Sequence, residues 1–91
     1  YMTRFVELEQ TKGTLETLMV LFKKGDMRST YLINSISVSR ETFYKIVKTL
    51  KKHELVKKLY IEDQDILTWS LTPKGKEIAK LLIEIEKKLN L

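Results

Sequence analysis

The chain has 91 residues, of which 43% are hydrophobic and 32% charged, and its formal net charge is +5. This length suits one domain and is too short for a large active-site cleft, and no apolar stretch reaches the roughly 20 residues that cross a bilayer. Cysteine is absent and His53 is the only histidine, which excludes a disulfide framework and a zinc site built from these ligands. Since no signal peptide is recognisable either, we expect a cytoplasmic protein that needs no metal or other cofactor.

The excess of positive charge is concentrated in one segment. Seven basic and two acidic residues lie between Val38 and Tyr60, whereas acidic and basic residues balance in the rest of the chain. A local excess of this kind is typical of a surface that binds a polyanion. A solvated basic face without a partner is the alternative.

Two glycines and one proline divide the chain into segments of helical length. Apolar residues recur at helical spacing over residues 14–24, where Thr14 is placed to cap the first turn and Gly25 to end the helix. The segment before Gly13 fits either one further helical turn or irregular backbone.

Two more helices follow after a short turn. We predict a second helix over 29–36, which is too short to be stable without tertiary packing, and a third over 39–52 with Ser39 as its N-cap. One stripe of the third helix is apolar at positions i, i+3, i+4 and i+7, and consists of Phe43, Ile46, Val47 and Leu50.

The period of the pattern changes to two after Leu55, which predicts a β-hairpin over 55–71. If Ile61 pairs with Ile66, one face of the hairpin is apolar and covers the helices. That face holds Val56, Tyr60, Leu67, Trp69 and Leu71.

A final helix is predicted over 73–90, with Thr72 as its N-cap and Pro73 at its first position. Its apolar stripe is longer than one small domain can cover, so we expect this helix to pair with a second copy of the chain. Closure of its own domain is the alternative. The predicted seam consists of Ile78, Leu82, Ile85 and Leu89.

The order of these elements, helix-turn-helix followed by a hairpin and a last helix, predicts a mainly α-helical winged helix-turn-helix. The segment SVSRETFYKIVKTLKKHELVKKL, residues 37–59, resembles the pattern S-x-x-T-V-S-R-x-L-x-x-L-x-x-x-G-L-V of that superfamily. Likewise LTPKGKEIAKLL, residues 71–82, resembles the L-T-x-x-G opening of the last helix in MarR- and PadR-type transcriptional regulators. The resemblance implies a dimeric, non-enzymatic regulator that binds a pseudo-palindromic site on double-stranded DNA.

The third helix is then the recognition helix, because an α-helix fits the major groove, which is about 12 Å wide. The candidates for contact with base edges are Arg40, Glu41, Tyr44 and Lys45. Arginine and lysine suit guanine acceptors, glutamate suits the cytosine amino group, and tyrosine suits a thymine methyl group or a phosphate. The candidates for phosphate contacts are Ser39 and Thr42 at the helix N-terminus, with Arg28, Lys48, Lys52, Lys57, Lys58 and Gln64.

The loop of the hairpin departs from the pattern expected for a DNA-binding wing. It reads Glu62-Asp63-Gln64-Asp65, and carboxylates beside phosphates repel them. This acidity favours, as an alternative function, a winged-helix module that binds another protein within a larger assembly. RNA binding is a weaker alternative, because no exposed pair of aromatic residues is evident, and no set of residues suggests an enzyme.

Overall fold

The computed structural model describes residues 4–61 and 66–90. Five helices and three strands follow one another in this part of the chain. They are α1 (Arg4–Glu9), α2 (Thr14–Lys24), β1 (Met27–Arg28), α3 (Ser29–Ile36), α4 (Arg40–Lys52), β2 (Val56–Ile61), β3 (Ile66–Leu71) and α5 (Pro73–Leu89). The fold is therefore mainly helical with a small antiparallel sheet, as the sequence predicted, and no helix in the described ranges is long and apolar enough to span a membrane.

The sheet has three strands in the order β1-β3-β2, so the hairpin is joined by a strand that the sequence analysis did not predict. β1 has two residues, and Met27 pairs with Trp69 while Arg28 pairs with Thr68. Two residues are too few to show an alternating pattern, which explains why this strand was missed. Within the hairpin Ile61 pairs with Ile66, the register indicated by the sequence.

One face of the sheet completes the hydrophobic core. Val56 and Leu71 pair across β2 and β3 and are both buried, as is Trp69. These side chains pack on the buried faces of the helices, which contribute Leu18, Leu21, Leu32, Ile36, Phe43, Ile46, Val47, Leu50, Ala79 and Leu82. The predicted apolar face of the hairpin is therefore the face that covers the helices, as far as its described side chains extend.

The start of α2 differs from the expected cap. Gly13, with φ of +96°, is the N-cap residue, and Thr14 is already inside the helix. The Thr14 hydroxyl donates to the carbonyl oxygen of Thr11 (2.9 Å), and the Thr17 hydroxyl donates to that of Gly13 (2.7 Å). Threonine side chains thus stabilise this turn through carbonyl groups rather than by accepting from the free N–H groups. Gly25 ends the helix as predicted, and its N–H donates to the carbonyl oxygen of Leu21 (2.9 Å).

The end of α4 and the start of α5 are joined through Thr72. Its N–H donates to the carbonyl oxygen of Leu55 (3.1 Å), and its hydroxyl donates to that of Glu54 (2.6 Å). The same hydroxyl accepts from the N–H of Gly75 (3.0 Å), which makes Thr72 the predicted N-cap. A Cβ atom at Gly75 would overlap the Leu55 carbonyl oxygen, so only glycine allows this close approach.

Glu54 has the backbone conformation of a glycine. It follows α4 with φ of +59°, in the left-handed region, which disfavours residues other than glycine, asparagine and aspartate. Glu54 also occupies the position at which the superfamily pattern has glycine. The turn geometry is therefore kept here at the expense of local strain.

Candidate nucleic-acid interface

Helix α4 has one buried face and one charged face. Ser39 caps its N-terminus by accepting a hydrogen bond from the N–H of Thr42 (3.1 Å), which confirms the expected start of the helix. The apolar stripe points into the domain and is buried at all four positions, Phe43, Ile46, Val47 and Leu50. Because this stripe fixes the rotation of the helix, the residues between its members must face solvent.

The solvent face of α4 carries all six outward positions that the sequence analysis proposed for this helix. The exposed residues are Arg40, Glu41, Tyr44, Lys45, Lys48 and Lys52. Tyr44 is 58% exposed although it is aromatic, and its neighbour Phe43 is fully buried. Lys51 is also exposed, and was not proposed as a contact. The spacing of the sequence predicts this exposure, because residues 44, 48 and 51 lie at i, i+4 and i+7 on one face of the helix.

The two hydroxyl residues at the start of α4 bond to each other. The Ser39 hydroxyl donates to Oγ1 of Thr42 (2.9 Å) while its oxygen accepts from the Thr42 N–H. Ser39 is exposed and Thr42 is partly buried. Of these two candidates for phosphate contact, Ser39 is therefore the more accessible.

The candidates outside α4 lie on the sheet. Arg28 is exposed in β1 and is the residue that precedes α3. Lys57 and Lys58 are exposed in β2, where Lys57 pairs with Ser70 and Lys58 pairs with Trp69. Successive residues of a strand point to opposite faces, so only Lys58 shares the face of Trp69. Gln64 and the acidic loop 62–65 lie outside the described residues.

Lys52 has a carboxylate partner at the end of α4. Its ammonium group donates to Oε1 of Glu7 in α1 (2.6 Å), and Nε2 of His53 lies 3.5 Å from the other oxygen of that carboxylate. The hydrogen bond from Lys52 holds the pKa of Glu7 below its usual value. Lys52 therefore differs from the other lysines proposed on this helix, because a phosphate would have to compete with Glu7 for it.

The residues proposed for the dimer seam occupy two environments. Leu82 is buried in the core of its own domain and Ile78 is partly buried against it. Ile85 and Leu89, by contrast, are 50% and 79% exposed. Leu81, which lies outside the predicted seam, is 55% exposed on the same side of α5. An apolar groove of about 590 Å³ runs between this end of α5 and α2.

The described residues contain no group of three or more potential metal ligands from His, Cys, Asp and Glu. The exposed faces of α4 and the sheet carry charged and hydrogen-bonding side chains. Such groups bind anions and nucleic-acid edges through hydrogen bonds and charge.

The fold is shared with several bacterial regulators. The chain is similar to a SlyA-like transcription regulator from Listeria monocytogenes, with a TM-score of 0.81 and 23% identity over 94% of this chain and 58% of that one. It is also similar to a MarR family regulator from Neisseria meningitidis (TM-score 0.74, 22% identity, 96% of this chain and 63% of that one). A mutant of ZitR from Lactococcus lactis in its apo form gives a TM-score of 0.75 and 23% identity over 89% of this chain and 62% of that one.

The chain thus spans about three-fifths of the length of these structures, and TM-scores of this size at identities below 25% establish the fold alone. No curated protein sequence matches the chain significantly. The model of the HxlR-like helix-turn-helix family, however, matches residues 8–90, which include helices α2 to α5 and all three strands. The chain is therefore a member of the HxlR-like helix-turn-helix family, a family of transcriptional regulators and not of enzymes.

Proposed function

We propose that this protein binds double-stranded DNA with sequence preference, as a dimeric transcriptional regulator that places α4 in the major groove. The observation that carries the proposal is the exposed cationic face of α4, held outward by four buried apolar residues of the same helix. A helix in this position presents its N-terminal half to base edges. Arg40, Tyr44 and Lys45 lie in that half and are all exposed.

The contacts on α4 divide by their position along the helix. Arg40 and Lys45 in the first half are suited to guanine acceptors in the groove, whereas Lys48 and Lys51 in the second half are suited to phosphates. Glu41 is the one acidic residue of the helix and is suited to a cytosine amino group. Base preference is therefore assigned to the first half and general affinity to the second.

The dimer is proposed from the apolar surface of α5. Leu81, Ile85 and Leu89 expose large side chains on one side of this helix, and exposed apolar area of this kind is typical of an interaction surface. A two-fold axis beside α5 would relate two α4 helices and match them to half-sites about 34 Å apart. We therefore expect a pseudo-palindromic binding site.

Selection of bound duplexes from a random pool, followed by the mass of the complex, tests all parts of this proposal. We expect an enriched inverted repeat and two protein chains per duplex. The affinity for the selected duplex should fall steeply with salt, with a log–log slope of about −5 if about six phosphates are contacted. A flat salt response, or no duplex binding at low salt, would refute the function.

Two substitutions on α4 separate base contacts from phosphate contacts. Lys48→Ala should weaken binding to all duplexes by a similar factor, whereas Arg40→Ala should also reduce the preference for the selected sequence, by about 1–3 kcal/mol at one base pair. Lys87→Ala is the matched control, because it removes an exposed lysine from the far end of α5. If Arg40→Ala leaves base preference intact, α4 is not the reading element.

A further inference from the structure

One indole ring connects the sheet to both helices of the helix-turn-helix. Trp69 lies in the central strand β3 and is 2% exposed. Its Nε1–H donates to Oγ of Ser29, the first residue of α3 (2.8 Å). Its ring also packs edge-to-face on Phe43 of α4, with the centroids 6.2 Å apart and the planes at 80°. Trp69 therefore fixes the sheet relative to both helices of the helix-turn-helix.

The Trp69 ring also contacts a positively charged side chain. The Lys58 ammonium lies 5.6 Å from the centroid of the Trp69 ring, and the two residues are cross-strand partners in β2 and β3. This distance is within the range in which the negative face of an indole attracts an ammonium group. A lysine side chain is otherwise free to occupy many rotamers, so the ring reduces the number of positions that this charge adopts.

We propose that Trp69 positions the Lys58 ammonium as a phosphate contact of the hairpin, and that the adjacent Lys57 has no such role. The inference rests on the DNA-binding function proposed above; it selects Lys58 from the two candidate lysines of the hairpin and adds Trp69 as the residue that positions it. Because Trp69 contacts Phe43, the lysine on its ring lies on the side of the sheet that faces α4. Lys57 belongs to the opposite face and pairs with the buried Ser70.

The ring leaves the ammonium able to bind an anion. A lysine ammonium has three N–H donors, and Lys58 remains exposed while it lies over Trp69. A phosphate oxygen can thus take a hydrogen bond from the side away from the ring without displacing the side chain. Since the charge is already held in place, less side-chain entropy is lost when the phosphate binds.

Lys57 and Lys58 provide a matched pair of test variants. Both are exposed lysines of the same strand, so Lys57→Ala and Lys58→Ala remove the same charge from adjacent positions. We expect Lys58→Ala to reduce the steepness of the log–log salt slope by about 0.9, which corresponds to about an eightfold loss of affinity at 0.1 M salt. Lys57→Ala should change the slope by much less. Equal effects of the two variants would overturn the inference.

The positioning role of Trp69 is tested by a double-mutant cycle. In a Trp69→Phe background, which keeps a ring on Phe43 but loses the bond to Ser29, Lys58→Ala should cost clearly less than eightfold. Ser29→Ala, which removes only the hydrogen-bond partner, provides a milder background if Trp69→Phe is poorly folded. If Lys58→Ala costs the same in every background, Trp69 does not position Lys58.

The fluorescence of Trp69 gives an independent readout, because it is the only tryptophan in the chain. Binding of duplex should change its emission in the wild type and in Lys57→Ala, but not in Lys58→Ala. If wild-type protein binds no duplex at all, the proposed function itself fails. If it binds duplex and Lys57→Ala and Lys58→Ala behave alike, only the present inference fails.

Discussion

Helices α4 and α5 are both amphipathic, but only α4 has its apolar residues fully covered by the domain. Each of the four stripe residues of α4 is buried, and the surface of that helix is charged apart from Thr42, Tyr44 and Thr49. In α5 the residues close to the sheet are buried, whereas Leu81, Ile85 and Leu89 remain exposed. The apolar stripe of α4 is thus covered within its own domain, whereas α5 exposes apolar area that a partner chain would cover.

The difference indicates a division of labour between the two helices. A charged face on a firmly packed helix suits a polyanion, since its rotation is fixed before binding. An apolar surface on a helix that extends past the core suits a second protein chain.

Adjacent positions on α4 should respond in opposite ways to truncation. Phe43→Ala removes a fully buried ring and should lower the free energy of unfolding by about 3–5 kcal/mol. Tyr44→Ala should change stability by less than about 1 kcal/mol, because its ring is 58% exposed, yet weaken duplex binding. Denaturant unfolding and binding titrations measure the two effects. A stability loss of similar size in both variants would show that α4 is not divided into two faces.

The junction between the two helices should not tolerate a side chain at Gly75. Gly75→Ala places a Cβ against the Leu55 carbonyl oxygen, and the backbone shift that relieves the overlap should cost about 2–3 kcal/mol. Lys76→Ala is the control, since this lysine is exposed at the next position. Thermal unfolding of both variants tests the point. A melting temperature unchanged in Gly75→Ala would contradict the close approach described here.

The exposed side of α5 should be sensitive to charge. Ile85→Glu places a carboxylate in the apolar surface and should raise the dimer dissociation constant at least about tenfold, equivalent to about 1.4 kcal/mol. Lys80→Glu adds the same group at an exposed position on the far side of the helix, and should leave association nearly unchanged. Sedimentation equilibrium measures both. Comparable dissociation constants in the two variants would argue against pairing through this side of α5.

Removal of the side chain at Glu54 should stabilise the protein. The left-handed φ of this residue disfavours any Cβ, so Glu54→Gly should raise the free energy of unfolding by about 1 kcal/mol. The gain is partly offset by the greater freedom of glycine in the unfolded chain. Chemical denaturation provides the measurement, with Glu84→Gly as a contrast, because glycine within an exposed helix should destabilise. Loss of stability in Glu54→Gly would contradict the strain inferred at this turn.

The smallest effect is expected at the ion pair that links α1 to α4. The hydrogen bond from Lys52 lowers the pKa of Glu7, so its contribution to stability is present above the ordinary pKa of a glutamate. That contribution is lost as the pH falls through the lowered pKa of the folded protein. Glu7→Gln should therefore be slightly less stable than wild type at neutral pH and indistinguishable from it in strong acid. Thermal melts across this range measure the difference, and a gap that persists in acid would exclude the ion pair as its source.

Most of the fold could be predicted from the sequence, because its main features are local patterns. These patterns are the apolar stripe of α4, the hairpin register and the caps Ser39 and Thr72. The two-residue strand β1 was missed because its pairing with β3 joins residues distant in the sequence. The placement of Leu82 in the core, and of Leu81 outside it, depends on how α5 packs against α2. Similarly, the difference between Lys57 and Lys58 arises only once Trp69 lies against α3 and α4. These tertiary contacts are what sequence patterns leave undetermined.

The hydrogen bonds of Thr72 make the connection between α4 and α5 stiff. Thr72 bonds directly to the carbonyl groups of Glu54 and Leu55, which follow α4, and to the N–H of Gly75 in the first turn of α5. A rotation of α5 is therefore transmitted to the end of α4 rather than absorbed by a loop. In the proposed dimer, the separation of the two α4 helices would then be set by how the α5 helices cross. If two α4 helices read DNA as proposed, moving the two half-sites apart by one base pair should weaken binding.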